Sequence, residues 1–357
     1  MEHHIEGITR ISTRSPGSEF SINHRYEILN GYAAHATGAS LSRIFSCPEV
    51  EYVEADGMVS IYDDLHEAHE GRATGCDGVP AEIRDDRGES GGLEKPVKIF
   101  LADTGVYGAH SCFKYKDEDK NKVKDEPDND KTSRVLETVV YGPYSSEDNN
   151  GHGTMMAGRA VGITCGVATS ASIVPIKVVS DEGKGEMSDL LAGIHYALQQ
   201  FQSTDCHAIL LISVVFDYNE ALNDAVLWAI NSGVHVVVPA GSQSKDASLV
   251  SPASVFSANT IGAIDDCGHV ASFSNVGFVV DVFAPGMKIR VPSTDDSNAW
   301  TTRSGTGVAA AFVAGVLASS LRGKKDLVAP ALLRTGKAVP DVQGSPEGTT
   351  KLRVQIL

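Results

Sequence analysis

The chain of 357 residues has no run of about 18 apolar residues, so no membrane span is predicted. Its first residues, Met1-Glu2-His3-His4-Ile5-Glu6, lack the basic and apolar regions of a secretory signal. No Asn-x-Ser/Thr sequon occurs either. Read as it stands, the chain is expected to stay inside the cell; a secreted chain truncated at its N-terminus would read the same. Basic residues are in deficit: 30 Lys and Arg stand against 46 Asp and Glu, a net charge of −16. That balance argues against a nucleic-acid surface. The six cysteines (Cys47, Cys76, Cys112, Cys165, Cys206, Cys267) include no Cys-x-x-Cys pair, so a cysteine-based metal site is not expected. Their even number permits disulfides, and the plainer reading is small buried hydrophobes.

What is present suits a soluble globular protein, with 42% hydrophobic and 21% charged residues. The length allows one large catalytic-sized domain and a small one. Residues 1 to about 24 carry little pattern. Tyr26 to Ala36 then reads as two alternating segments joined at Asn30-Gly31, a hairpin signal. Ala39–Phe45 predicts a short helix and Met58–Ile61 a strand. Residues 62–95 are rich in Asp, Glu, Gly and Arg without hydrophobic period, and read as an exposed linker. A second polar run at 114–131 reads as a charged insertion loop.

From Val97 the text changes. Apolar runs at Val97–Asp103, Ile173–Val179, Ala208–Ser213, Val234–Pro239 and Val279–Phe283 alternate with helical periods at Asp189–Phe201, Ala221–Asn231 and Gly307–Leu321. Continuous apolar runs between helices predict a doubly wound α/β fold, mostly parallel, with helices on both faces. Functional loops then belong at the carboxyl ends of the strands. Three short motifs fall in such places: Asp103-Thr104-Gly105 after the first strand, Gly151-His152-Gly153-Thr154 opening a helix, and Gly305-Thr306-Gly307-Val308-Ala309 running into a small, apolar helix. A turn at a helix N-terminus presents one side chain beside free backbone N–H groups, where a nucleophile gains most.

In this order, these motifs resemble those of the subtilisin-like serine proteases (peptidase S8 family), in wording nearest the proteinase K branch. Supporting text includes Ser251-Pro252-Ala253-Ser254, Ser272-Phe273-Ser274-Asn275 and Phe283-Ala284-Pro285-Gly286. The segments Asn30-Gly31-Tyr32-Ala33-Ala34 and Pro48-Glu49-Val50-Glu51-Tyr52-Val53-Glu54-Ala55-Asp56 resemble the inhibitor-type propeptide that precedes many such domains. The organisation implied is a partial propeptide-like α+β module at 1–61, a polar linker at 62–95 and a subtilisin-like domain at 96–357.

The family's chemistry needs an oxygen nucleophile, a base, a carboxylate that holds the base, and oxyanion donors. By resemblance, Asp103 orients and His152 is the base. The family's nucleophile turn reads Gly-Thr-Ser-Met-Ala, and Gly307 stands at the serine's place. The family's oxyanion asparagine is replaced in Pro239-Ala240-Gly241-Ser242 by Ser242. Ser304 lies one turn too early to substitute, and Thr306 is expected to point away. The family's Ser-Leu-Gly-Gly strand, which pairs with substrate, corresponds to Ser213-Val214-Val215-Phe216, whose Val and Phe are expected to crowd the groove. Gly185 belongs to the other wall. No cofactor is required; the resemblance implies a calcium site at Asp281 with carbonyls of the Phe256–Ala258 loop.

Three readings follow. The leading one is a catalytically inactive homologue that binds an extended peptide or protein segment, or regulates active relatives. Its own propeptide-like module is an expected partner; no nucleic-acid or membrane partner is expected. The second is a serine-type endopeptidase or other hydrolase using Asp103 and His152 with an unrecognised nucleophile or an activated water. The third is a product without biochemical role.

Overall fold

The computed structural model describes residues 1–61, 95–114, 133–321 and 340–354, with the backbone also at 66–67 and 338–339. The linker and the charged insertion therefore lie almost wholly outside the described residues, as does Cys76.

The amino-terminal module contains α1 (Glu2–Arg14), β1 (Phe20–Tyr26), β2 (Gly31–Ala36), α2 (Gly38–Phe45) and β3 (Met58–Ser60), with β4 (His66–Glu67) beyond it. Helix α1 occupies a stretch whose sequence shows little pattern. Only Ile5 and Ile8 are buried, a stripe too sparse to stand out, while Glu2 and Arg14 sit at the ends the helix dipole favours. The hairpin exists, but its first arm lies upstream of the expected Tyr26–Leu29. Residues 27–29 form a single 3₁₀ turn closed by Asn30 in the left-handed region (φ 48°), and Tyr26 pairs with Gly31. The alternating side chains of β1 are half-buried or buried on one face only, which a search for strongly apolar alternation passes over.

The larger part runs β5 (Val97–Asp103), β6 (Val139–Val140), α3 (His152–Val161), β7 (Ser172–Lys177), β8 (Lys184–Glu186), α4 (Met187–Ser203), β9 (His207–Ile212), β10 (Phe216–Asp217) and α5 (Glu220–Asn231). It continues through β11 (His235–Pro239), β12 (Val250–Ser251), β13 (Asn259–Ile264), β14 (Val282–Pro285), β15 (Ile289–Pro292), β16 (Trp300–Ser304), α6 (Thr306–Leu321), β17 (Ala338–Pro340) and β18 (Leu352–Val354). Among the described residues the central sheet has nine strands in the order β17-β18-β14-β13-β11-β9-β5-β7-β6, parallel throughout except where β17 meets β18.

The apolar runs are continuous because each strand is covered twice. Ile99, Leu101, Ile209, Leu211 and Val237 pack with α3 and α6, whereas Phe100, Ala102, Leu210, Ile212, Val236 and Val238 pack with α4 and α5. Tyr26 and Val59 of the amino-terminal module join the second core. Helix α6 is buried on every face apart from Ser319, and its small residues permit close contact. A Cβ at Gly315 would stand 2.6 Å from the Ala160 carbonyl of α3. Strand β13, Asn259-Thr-Ile-Gly-Ala-Ile264, escapes the sequence pattern because Asn, Thr and Gly interrupt its apolar residues. Strand β14 begins three residues later than the Val279 run suggests.

The four described buried cysteines, Cys47, Cys112, Cys165 and Cys206, are free, as is the exposed Cys267.

Candidate active site

Asp103 is the last residue of β5 and His152 the first of α3, so the strand's carboxyl end faces the helix's start. His152 Nδ1 lies 2.8 Å from Asp103 Oδ1 and 2.9 Å from Oδ2, with both side chains buried. Asp103 also accepts the Thr104 N–H at 2.6 Å and the hydroxyl of Ser213. The glycines around the pair are steric requirements. Gly151 (φ 91°) and Gly105 (φ 101°) occupy the left-handed region, and a Cβ at Gly153 would sit 2.0 Å from the Gly105 carbonyl. A histidine clamped by a carboxylate at one ring nitrogen is oriented to exchange a proton at the other.

A residue that the sequence motifs do not mark locks the two loops together. Buried Asp148 accepts from Thr104 Oγ1 (2.8 Å), Gly151 N–H (2.8 Å), Thr154 N–H (2.9 Å) and Thr154 Oγ1 (2.5 Å). Thr104 Oγ1 in turn accepts the Gly153 N–H at 3.0 Å. Burial pushes the Asp148 carboxyl above the usual carboxylate range, and its hydrogen bonds pull the other way. Its only sequence signal is position, three residues before Gly151.

The other half of the site is built differently. Strand β16 ends at Ser304, and the Gly305 N–H bonds the Gly286 carbonyl as the chain turns into α6. Thr306 and Gly307 are the first two helical residues, both buried. Ser242 Oγ accepts the Thr306 N–H at 3.1 Å and lies 3.1 Å from Thr306 Oγ1, which accepts the Gly241 N–H at 3.2 Å. Thr306 therefore turns toward Ser242, and the two hydroxyls close on each other and on backbone N–H groups.

The structure redistributes the residues read as groove walls. The Ser213 side chain is buried beneath the pair, bonding Asp103 and the Ala102 carbonyl (3.2 Å). Val214 belongs to the core with α4 and α5. Val215 is buried with Ala240, Ala247 and Val250, so its side chain does not crowd the groove. Its backbone instead bridges Ser60 of the amino-terminal module. Strand β3 fills the edge: Met58, Val59 and Ser60 pair antiparallel with Glu186, Gly185 and Lys184 of β8, and the Ile61 N–H bonds the Gly183 carbonyl at 3.1 Å. Gly185 is needed for the backbone itself, since a Cβ there would stand 2.1 Å from the Val178 carbonyl. The Phe216 ring packs on Gly57, where an added Cβ would lie 2.8 Å from Cζ. The expected bulk is present, and a glycine of the same chain accommodates it.

Further contacts seat the module. Glu54 accepts the N–H groups of Glu220 and Ala221 at the start of α5 (3.3 and 3.1 Å), and Asp56 accepts that of Ser188 at the start of α4 (3.0 Å). Acidic side chains at helix N-termini satisfy free donors and complement the dipole. The Tyr26 hydroxyl donates to the Ser188 carbonyl (2.8 Å), and His24 Nε2 lies 2.9 Å from Asp189 Oδ1. Beyond the groove, β4 pairs with β16, His66 opposite Ser304. The described chain thus contacts the site's surroundings on both sides.

Asp281 lies away from this pair. Its Oδ2 accepts the Thr260 N–H at 2.8 Å, and burial pushes its carboxyl up to about 7. A buried carboxylate with so little compensation is an oxygen ligand of the kind a hard cation takes.

A mostly parallel α/β sheet with an aspartate-clamped histidine at a strand's carboxyl end, packed against the buried α6, has the parts of a hydrolase scaffold. Comparison with known proteins sharpens that class. Residues 94–335 match the subtilase (peptidase S8) family and residues 1–62 the peptidase inhibitor I9 family. Subtilisin-like protease 2 of Pseudogymnoascus destructans is 33% identical, over 99% of this chain and 84% of its own length. Proteinase R of Parengyodontium album is 31% identical, over 83% of this chain and 71% of its own. A crystal structure of a cold-adapted subtilisin-like serine proteinase superposes with a TM-score of 0.60 at 32% identity, covering 73% of this chain and 89% of that one. The chain belongs to the subtilase family, with relatives of the proteinase K-like type, and carries an I9-type module at its amino end.

Proposed function

We propose that this chain is a subtilase homologue that has lost catalysis and acts by binding an extended peptide or protein segment. Gly307 carries the reading: the position corresponding to the family's serine has no hydroxyl to attack a carbonyl. Ser242 supports it. Its hydroxyl is engaged by Thr306, and loss of a side-chain oxyanion donor costs about 3–4 kcal/mol of barrier. Without the nucleophile, positioning and an intact oxyanion hole sustain at most roughly 10³–10⁴-fold acceleration over water, and loss of the hole's side-chain donor lowers that further. The natural occupant of the groove is the chain's own module, whose β3 lies along Gly185 and Val215. Asp281, with the loop carbonyls, serves as a calcium ligand that holds the fold. Among the described residues no helix is long and apolar enough to cross a membrane, and no membrane or nucleic-acid partner enters this reading.

The intact Asp103–His152 pair is the observation that favours the second reading, a residual hydrolase. A fluorogenic peptide assay separates the two. The native chain is expected to be silent, Gly307→Ser with Ser242→Asn to show activity, and His152→Ala in that background to abolish it. Native activity that disappears with His152→Ala would overturn the inactive reading.

A further inference from the structure

Away from the groove, the amino-terminal module brings together three side chains of unlike chemistry. His4 comes from the first turns of α1, Cys47 from just after α2, and Glu49 from the turn that follows. Their ligand atoms, one from each residue, all lie within 4.8 Å of one another. We propose that His4, Cys47 and Glu49 form a site for a divalent cation of the zinc class, binding through imidazole nitrogen, thiolate sulfur and carboxylate oxygen.

The donor set argues for such an ion. A thiolate with an imidazole selects borderline or soft cations over calcium and magnesium, which prefer oxygen. Tetrahedral zinc with bonds of about 2.0–2.3 Å separates its donors by about 3.3–3.8 Å, so contraction of about 1 Å completes the set. Local chain geometry supplies the closeness: the Val50 N–H bonds the Cys47 carbonyl at 3.1 Å, folding Cys47 and Glu49 into one turn. The Tyr32 hydroxyl lies 3.0 Å from His4 Nε2 and orients the ring, as a second partner commonly does for a metal-bound histidine. Cys47 is buried while Glu49 is exposed, which leaves one side open for a water as fourth ligand. On binding, sulfur bonds the cation and the Cys47 thiol proton leaves to solvent. The ion would staple α1 to the end of α2, two helices otherwise joined by a small core.

No local spacing announces this set, because His4 meets Cys47 across 42 intervening positions, where a Cys-x-x-Cys search finds nothing. A second cluster, Asp265, Cys267 and His269, offers the same donors in one turn and provides the control. The metal-stripped full chain is titrated with zinc against a chromophoric chelator, and with cobalt as a spectroscopic probe of thiolate ligation. The expected result is a thiolate-to-cobalt band that Cys47→Ser removes and Cys267→Ser keeps, with zinc binding about tenfold weaker in Glu49→Gln. Absence of zinc binding, or a band that survives Cys47→Ser and vanishes in Cys267→Ser, overturns the proposal. Should Cys47→Ser fail to fold, Glu49→Gln decides: unchanged zinc affinity there also overturns it.

Discussion

The two halves of the site lie on elements that pack together, α3 and β5 against α6, but differ in how their polar groups are satisfied. Around Asp103 and His152, every loop is cross-linked: Asp148 takes four bonds, Thr104 relays between the motifs, and Ser213 supports the aspartate from below. Around Ser242 and Thr306, two hydroxyls and two backbone N–H groups form a small closed set. The first half is an orienting device whose strength comes from buried charge-assisted bonds. The second is a helix cap. A scaffold can therefore keep its proton-handling geometry for structural reasons, since removing those residues would unfold the strand ends, while nothing structural demands a nucleophile in the other half.

The largest effect should come from Asp148→Ala. It strands the Thr104 and Thr154 hydroxyls and the N–H groups of Gly151 and Thr154, and should cost about 3–5 kcal/mol, read as a lower denaturant midpoint. A loss below about 1 kcal/mol would break the contrast between the halves.

Asp281 tests what a buried carboxyl does without such a network. Its folded value near 7 exceeds the ordinary 3.8, so the folded state holds the proton more tightly. Stability in calcium-free buffer should then fall as pH rises from about 4 to about 7 and level off above, by up to about 4 kcal/mol. Asp281→Asn should flatten that slope. Calcium at pH 8 should raise the melting temperature of the native chain and leave Asp281→Asn unmoved; equal shifts in both would remove Asp281 from the ion's ligands.

The smallest effect belongs to the cap. Thr306→Val deletes one hydroxyl from the closed set and should cost about 0.5–1.5 kcal/mol by thermal or urea unfolding. A cost as large as that of Asp148→Ala would show the two halves to be equally interlocked.

The sheet was legible because burial on both faces writes itself as unbroken apolar runs, and His152 and Asp103 because their glycine-flanked turns leave short, specific words. Asp148 was not, since a buried carboxylate inside a polar loop looks like any solvated one until its four donors are in place. Helix α1 escaped for the opposite reason: two buried isoleucines in thirteen residues give too little contrast. Ser213 and Val214 read as groove residues by resemblance; that the side chain of one turns beneath the aspartate and that of the other into a core is visible only in the fold. The crowding expected from Phe216 could not be judged from one strand alone, because its remedy, Gly57, lies about 160 positions earlier.

That pairing of ring and glycine has a consequence for competition. The strand lying along β8 is tethered to the surface it covers, so it meets that surface at an effective concentration of millimolar order. A free peptide must outbid this local excess and also present a residue small enough to pass the Phe216 ring. On the proposed reading, selectivity at this edge is then an inheritance of covalent linkage: a replacing segment has to match the tethered strand in shape as well as overcome its local excess.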